Sequence, residues 1–306
     1  MVSLASVLVM GAGAVGSYYG ALLGRAGHDV RLICRGSHLD AMSRSGGISV
    51  AESDGTLWHQ AVSATQRPAP PPPDLALITT KSHDTLAAAE ALAPVIGDRT
   101  MVLSLQNGVE NVSRAERALG TGRVLAGQAF VGVWIDEPGI VVHGAEGRVS
   151  IGDPLGGVTE RAKRAHGLLA QAWDVTLADD IVFDQWKKLL WNAGFNALCA
   201  ITGCTAGQAL AEPSAASTVR AAMQEVVAIA REHGITLSEA DVEEMAADNP
   251  QLREYRPSTA RDLDAGKAVE SDALCGFISR EGAHLGVPTP VNDVLDALLG
   301  LRQAPS

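Results

Sequence analysis

The chain has 306 residues, enough for two domains of ordinary size. Its 24 Lys and Arg against 35 Asp and Glu give a formal charge of −11, spread along the chain. That argues against nucleic acid or an anionic membrane as the main partner, because both reward dense basic patches. Hydrophobic residues make up 46% and charged residues 19%, which suits a buried core, and no apolar run reaches the roughly 20 residues of a membrane helix.

The opening Met1-Val2-Ser3-Leu4-Ala5 has no basic region before its apolar run, so a cytoplasmic protein without a secretory signal is expected. Ser6 to Met10 reads as a buried strand. A glycine turn and a helical stretch through Ala26 follow, then a second strand over Val30 to Cys34. The segment 66–74 holds five of the 14 prolines and reads as an exposed connector within the domain. Leu75 to Thr80 and Met101 to Leu105 are further strands, with a helix over Thr85 to Ile96 between them. Over Val124 to Ile151, turns at Pro138-Gly139 and Glu146-Gly147 predict antiparallel strands closing the sheet edge. From Ile181 helical periodicity dominates, broken at Gly203, Pro213, Gly234, Pro250 and Gly286-Val287-Pro288. The pattern predicts an α/β fold: a Rossmann-like dinucleotide-binding domain over 1–178 and an all-helical domain over 179–306. The Leu/Ala-rich helices after Ile181 face either their own core or a second copy in a homodimer, and periodicity does not separate the two.

Cys34, Cys199, Cys204 and Cys275 form no C-x-x-C pair, and the eight histidines form neither H-x-x-x-H nor H-E-x-x-H. Free thiols and no metal are expected.

Gly11-Ala12-Gly13-Ala14-Val15-Gly16 lies between the first strand and the first helix. Gly11 permits the tight turn, Gly13 lets backbone approach a pyrophosphate, and Gly16 lets helix pack on strand. Ligand-free glycine turns spell the same string, but the position between strand and helix, with a second strand following, points to a dinucleotide. The second strand ends Cys34-Arg35-Gly36, without the acid that holds an NAD ribose; Arg35 suits the 2′-phosphate of NADP(H), the plain alternative being an exposed loop arginine. Lys81 and Gln106-Asn107-Gly108 stand at the ends of two further strands, where open α/β sheets bind ligands, though each could also be a solvated loop. Lys188, Asn192 and Asn196 recur at i, i+4 and i+8, one face of a largely apolar helix. They offer a proton donor with two carboxamide arms; alternatively the lysine reaches solvent and the asparagines tie helices together.

Taken together, the glycine turn, Lys81, the Q-N-G turn, Lys188-x-x-x-Asn192-x-x-x-Asn196, Ser258, Asp262, Glu270 and Gly286-Val287-Pro288-Thr289-Pro290 resemble the ketopantoate reductase (2-dehydropantoate 2-reductase) family over nearly the whole chain. The resemblance implies NADPH-dependent reduction of a 2-oxo acid to a 2-hydroxy acid, ketopantoate to pantoate first, within pantothenate and coenzyme A synthesis. It implies Lys188 as general acid and Glu270 as the essential carboxylate that positions lysine, substrate and coenzyme, near a helix start. It also implies Lys81 and Asn107 on the nicotinamide side, and Asn107, Asn192, Asn196 and Ser258 toward the substrate. The sequence departs from relatives at Ser82-His83-Asp84-Thr85, at Pro257-Ser258-Thr259-Ala260 and at Ala197. These departures leave open the same chemistry on another small 2-oxo acid or an imine. A non-catalytic NADP(H)-binding sensor is the other alternative, against which Lys188 and Glu270 argue.

Overall fold

The computed structural model describes residues 4–247 and 253–303; Pro250 lies outside them. The chain divides into two compact units, Met1–Val182 and Phe183–Ser306.

The first unit runs β1 (Ser6–Met10), α1 (Ala14–Arg25), β2 (Asp29–Ile33), α2 (Gly36–Ser45), β3 (Gly47–Glu52), β4 (Leu57–Ala61), β5 (Ser63–Thr65), β6 (Leu75–Ile78), a 3-10 turn (Ser82–Asp84), α3 (Thr85–Leu92), β7 (Met101–Ser104), α4 (Asn111–Leu119), β8 (Val124–Glu137), β9 (Ile140–Gly152), α5 (Glu160–Leu169) and β10 (Val175–Leu177). The expected domain boundary lies just ahead of α6 (Ile181–Trp191), which crosses from the first unit into the second. After α6 come a π-helical turn (Asn192–Asn196), α7 (Ala197–Thr202), α8 (Ala206–Ala211), α9 (Pro213–Glu232), α10 (Glu239–Met245), α11 (Ser258–Asp264), a 3-10 turn (Ser271–Ala273), α12 (Cys275–Leu285) and α13 (Pro290–Gln303).

The sheet order is β4-β3-β9-β8-β7-β6-β1-β2-β5, with β10 paired to β9. From β5 to β8 every neighbouring pair is parallel. The chain leaves β1 toward β2 and later returns to β6 on its other side, so β1 is the switch point where open sheets form a ligand crevice. The central strands are continuous apolar runs because both faces are covered. In β1, Val7 and Val9 join Tyr19 and Leu23 of α1, whereas Leu8 joins Leu92 of α3 and Ala115 of α4. Strands β6 and β7 alternate in the same way: Leu77 and Leu103 face the α1 side, Ile78 and Val102 the α3 side.

Three expectations need correction. The β8–β9 hairpin is antiparallel and turns at Pro138-Gly139, with Gly139 at φ +88°, but it does not close the sheet. β9 is flanked by β3 in parallel, and β4 forms that edge. Likewise Glu146-Gly147 is no strand connection. Phe130 pairs with Arg148 and Val131 with Glu146, leaving Gly147 as the extra residue of a β-bulge, with Glu146 at φ +57°. Helix α3 also ends at Leu92 and not at Ile96, because Pro94 has no N–H to continue it.

In the second unit the breaks at Gly203 and Gly286 are left-handed C-caps at φ +77° and +71°. Pro213 both ends one element and starts another, as the first residue of α9 behind the capping carboxylate of Glu212. The buried face of α9, including Val219, Met223, Val226 and Ile229, is the spine on which the π turn, α12 and α13 pack. Glu225, buried on that helix, accepts hydrogen bonds from the backbone N–H groups of Val291 (2.8 Å) and Asn292 (2.9 Å) at the start of α13.

Candidate active site

In the first unit the three glycines of the opening turn meet different surroundings. Gly11 has φ +97°, and a β-carbon there would stand 2.5 Å from Thr80 Cγ2 and 2.6 Å from its backbone N. At Gly16 a β-carbon would lie 2.4 Å from Thr79 Oγ1 and 2.5 Å from the Gly11 carbonyl. At Gly13 it would meet no protein atom within 4 Å. The first and third are therefore fixed by the fold itself, whereas no contact within the protein requires a glycine at the second. Ala12 is buried and donates its N–H to the Ile33 carbonyl (2.8 Å), tying the turn to the end of β2. Ala14 and Val15 form the first turn of α1, which no side chain caps. A helix start of this kind turns N–H groups and positive dipole toward an anion.

The loops after β6 and β7 are locked beside this turn. Thr79 Oγ1 donates to the Gly11 carbonyl (2.8 Å). Gln106, buried, donates from Nε2 to the Thr80 carbonyl (2.9 Å) and to Thr85 Oγ1 (2.8 Å), and accepts from Ser104 Oγ (3.0 Å). Ser82 Oγ and Asn111 Nδ2 both donate to the Asn107 carbonyl, at 3.0 and 2.7 Å. Lys81 and Asn107, both half-buried, thus lie on two loops that this network fastens to each other. Gln106 was visible in sequence only as part of a motif; its role as the buttress needed the loops to be adjacent. Arg35 follows β2 as the residue ahead of α2, with a side chain 84% exposed, and its Nη2 is 3.7 Å from Asp84 Oδ2. Sequence reading assigned Asp84 no role, since the pairing spans 49 positions of chain between separate strand ends (84 − 35).

In the second unit, Lys188 lies half-buried in the last turn of α6. Its neighbour Lys187 is turned to α10 and bound to Glu244 (2.8 Å) and Asp241 (3.2 Å), whose carboxylates hold its ammonium above the usual lysine range. The Lys-Asn-Asn face is not the plain α-helix that i, i+4 spacing predicts. From Asn192 to Asn196 the backbone widens into a π turn. The wider turn keeps residues four apart near one another, and Asn196 Nδ2 donates to Asn192 Oδ1 at 3.2 Å. Both asparagines are buried, at 5% and 3% exposure. Gly194 in the middle of the turn lets it close on α9, since a β-carbon there would sit 2.6 Å from Met223 Cε. Helix α11 packs against α7 and the π turn; it begins at exposed Ser258 and carries half-buried Asp262 one turn on. Glu270, half-buried, directly precedes the single 3-10 turn Ser271–Ala273 and not a full α-helix.

All four cysteines are free thiols. Among the described residues no group of three or more His, Cys, Asp or Glu is placed to hold a metal, and no helix is long and apolar enough to cross a membrane.

Two family models account for most of the chain: "Ketopantoate reductase PanE/ApbA" over residues 7–156 and its C-terminal counterpart over 180–303. The 2-dehydropantoate 2-reductase of Archaeoglobus fulgidus is 32% identical over 297 residues, covering 94% of this chain and 95% of that protein. This chain belongs to the ketopantoate reductase family. A crystal structure of a PanE/ApbA family ketopantoate reductase from Ralstonia eutropha superposes with a TM-score of 0.86 at 35% identity, over 97% of this chain and 98% of the other. D-mandelate dehydrogenase, solved with NADH and anilino(oxo)acetate, shares the fold with a TM-score of 0.89 at 23% identity and 97% and 98% coverage. Membership makes this ketopantoate reductase homologue an oxidoreductase of a dinucleotide-binding family, built from a Rossmann-like domain and a helical one.

Proposed function

We propose that the protein reduces a 2-oxo acid to the corresponding 2-hydroxy acid with NADPH, and that ketopantoate, reduced to pantoate, is the substrate. When bound, the reduced nicotinamide supplies hydride to the carbonyl carbon. The remaining work falls to the chain's own groups. In the Gly11–Gly16 turn, Ala12 and Gly11 tie the backbone to β2 and Gly13 leaves room for the ligand, while the first-turn N–H groups of Ala14, Val15 and Gly16 meet the pyrophosphate, and Arg35 offers a guanidinium fork to the 2′-phosphate. Lys81 and Asn107 bind on the nicotinamide side. Lys188 holds a proton on Nζ and gives it to the carbonyl oxygen as negative charge gathers there, since an unprotonated alkoxide away from water is high in energy. Asn192, Asn196 and Ser258, with Asn107, hydrogen-bond the substrate's carboxylate and oxygen, and Glu270 orients the lysine and both ligands. The reaction is placed in the cytoplasm on a free small molecule, with neither nucleic acid nor membrane as partner.

The observation that carries this reading is a lysine one turn ahead of a buried, mutually hydrogen-bonded asparagine pair, in a chain of this family that also keeps a glycine at position 13, where a side chain would meet nothing of the protein. The deciding experiment follows NADPH oxidation with ketopantoate beside other small 2-oxo acids and imines. Ketopantoate is expected to have the highest kcat/KM. A better rival would reassign the substrate, and binding of NADPH without turnover of any would leave a sensor in place of a reductase.

A further inference from the structure

The Arg35 guanidinium, assigned above to the 2′-phosphate, is not unshared. Asp84 Oδ2 stands 3.7 Å from Arg35 Nη2, and His83 Nε2 is 3.9 Å from the same oxygen. Asp84 ends the 3-10 turn after β6, while Arg35 lies two residues past the end of β2; both follow the carboxyl ends of strands flanking β1, whose own end carries the glycine turn. Although Asp84 immediately precedes α3, its side chain makes no capping hydrogen bond. The carboxylate is therefore not needed to start that helix. The Arg35, Asp84 and His83 side chains are 84%, 44% and 47% exposed, so an arriving ligand can compete for any of them.

We infer that Asp84 is a coenzyme-specificity residue that narrows the preference for NADPH over NADH. The inference rests on the reading that Arg35 meets the coenzyme's 2′ position. A carboxylate at that position accepts a hydrogen bond from a ribose 2′-hydroxyl, as the acid ending the second strand does in NAD sites. Toward a 2′-phosphomonoester, which carries more than one negative charge, the same carboxylate is a like charge and also a rival for the Nη2 donor. Arg35 draws the phosphate and Asp84 opposes it, so the margin by which NADPH binds more tightly than NADH is reduced. His83, beside the Asp84 oxygen, offsets part of the repulsion only when protonated.

The test is equilibrium titration of NADPH and NADH, by calorimetry or by the fluorescence of the bound reduced nicotinamide, into the full-length protein, Asp84→Asn and Arg35→Ala. Asp84→Asn is expected to raise the ratio of Kd for NADH to Kd for NADPH by about fivefold, the scale of two like unit charges about 4 Å apart in water, as suits groups this exposed. NADPH should tighten and NADH weaken. Asp84→Ser, which also removes the charge, gives the same shift, and in steady-state kinetics the change falls on KM. A ratio moved less than twofold by both variants, while Arg35→Ala still weakens NADPH, overturns the inference and leaves the role of Arg35 standing. If Arg35→Ala leaves NADPH binding unchanged, the reading of Arg35 fails and the role of Asp84 with it.

Discussion

At the scale of single residues, the opening glycines separate fold from function. Gly16→Ala drives a β-carbon into Thr79 Oγ1 and the Gly11 carbonyl, the second of which is backbone and cannot swing away. It should cost about 1–3 kcal/mol of unfolding free energy, the usual scale of overpacking, read as a lowered denaturant midpoint. Gly13→Ala meets no protein atom and should leave that midpoint near wild type, yet weaken the dinucleotide Kd in titration. If the two substitutions behave alike, the turn is only a packing feature. Lys188→Ala should lower kcat by about 10²–10⁴, the range for a positioned proton donor, with dinucleotide Kd nearly unchanged. Turnover close to wild type would remove the lysine from its role. Lys187 is the built-in contrast: the same residue type one position earlier is held by Glu244 and Asp241 on α10. Sequence offers two adjacent lysines, and the i+4 spacing to Asn192 together with the family resemblance favours the second.

At the scale of elements, two buried polar contacts hold the helical unit in shape. Removing the Asn196 carboxamide takes away the donor to Asn192 Oδ1 in a place where both residues are almost fully buried. Asn196→Ala should therefore cost about 1–3 kcal/mol in chemical denaturation, and raise KM for the 2-oxo acid as well. Glu225 caps α13 from a distance of 66 residues in sequence, accepting two backbone N–H groups and Asn292 Nδ2 at 2.7 Å. Glu225→Ala should destabilise on the same scale and, in hydrogen exchange, loosen the first turn of α13 ahead of the rest. Neither element was fully legible in the chain. The sequence carried the i, i+4, i+8 spacing, but the π turn depends on Gly194 closing against Met223 of α9. The run 36–65 carries a weak periodic signal, because α2 has few apolar residues and β4 alternates only between half-buried and exposed. Without β3 and β4 the β8–β9 hairpin reads as the sheet edge.

Over the whole molecule, the buried titratable groups set how stability follows pH. Burial holds His28 and His38 below the usual histidine range. His38 Nδ1 accepts from the Gly139 N–H (3.0 Å), so Nε2 carries the proton toward Ser17 Oγ (3.0 Å), joining α1, α2 and the hairpin turn. A histidine kept neutral by folding binds fewer protons than it does unfolded. Stability is therefore full above the unfolded value of about 6.5 and falls as pH drops through it. Asp153, almost fully buried, is held below the ordinary carboxylate range by its hydrogen bonds from Arg161, with Leu155 N and Thr159 Oγ1 adding to them. Its contribution is complete above the unfolded value near 3.9 and is lost as pH falls through the lower folded one. Denaturant midpoints measured from pH 8 to pH 3 should thus decline in two steps. His38→Gln should flatten the upper step and Asp153→Asn the lower; a decline unaffected by His38→Gln would assign the upper step elsewhere.

The chain's own order of residues determined the class of fold, the glycine turn and the family. Those signals are local: a buried parallel strand is a continuous apolar run, a glycine turn must be glycine, and family motifs keep their spacing along one backbone. What tertiary structure alone decided is everything set by residues far apart in sequence. The β3 and β4 strands lie beyond the hairpin, Glu146-Gly147 is a bulge because its partner strand runs past it, and Gln106 braces Lys81's loop. Asp84 reaches Arg35 for the same reason. Periodicity reports which face of an element is apolar; it carries no information on which other element will cover that face.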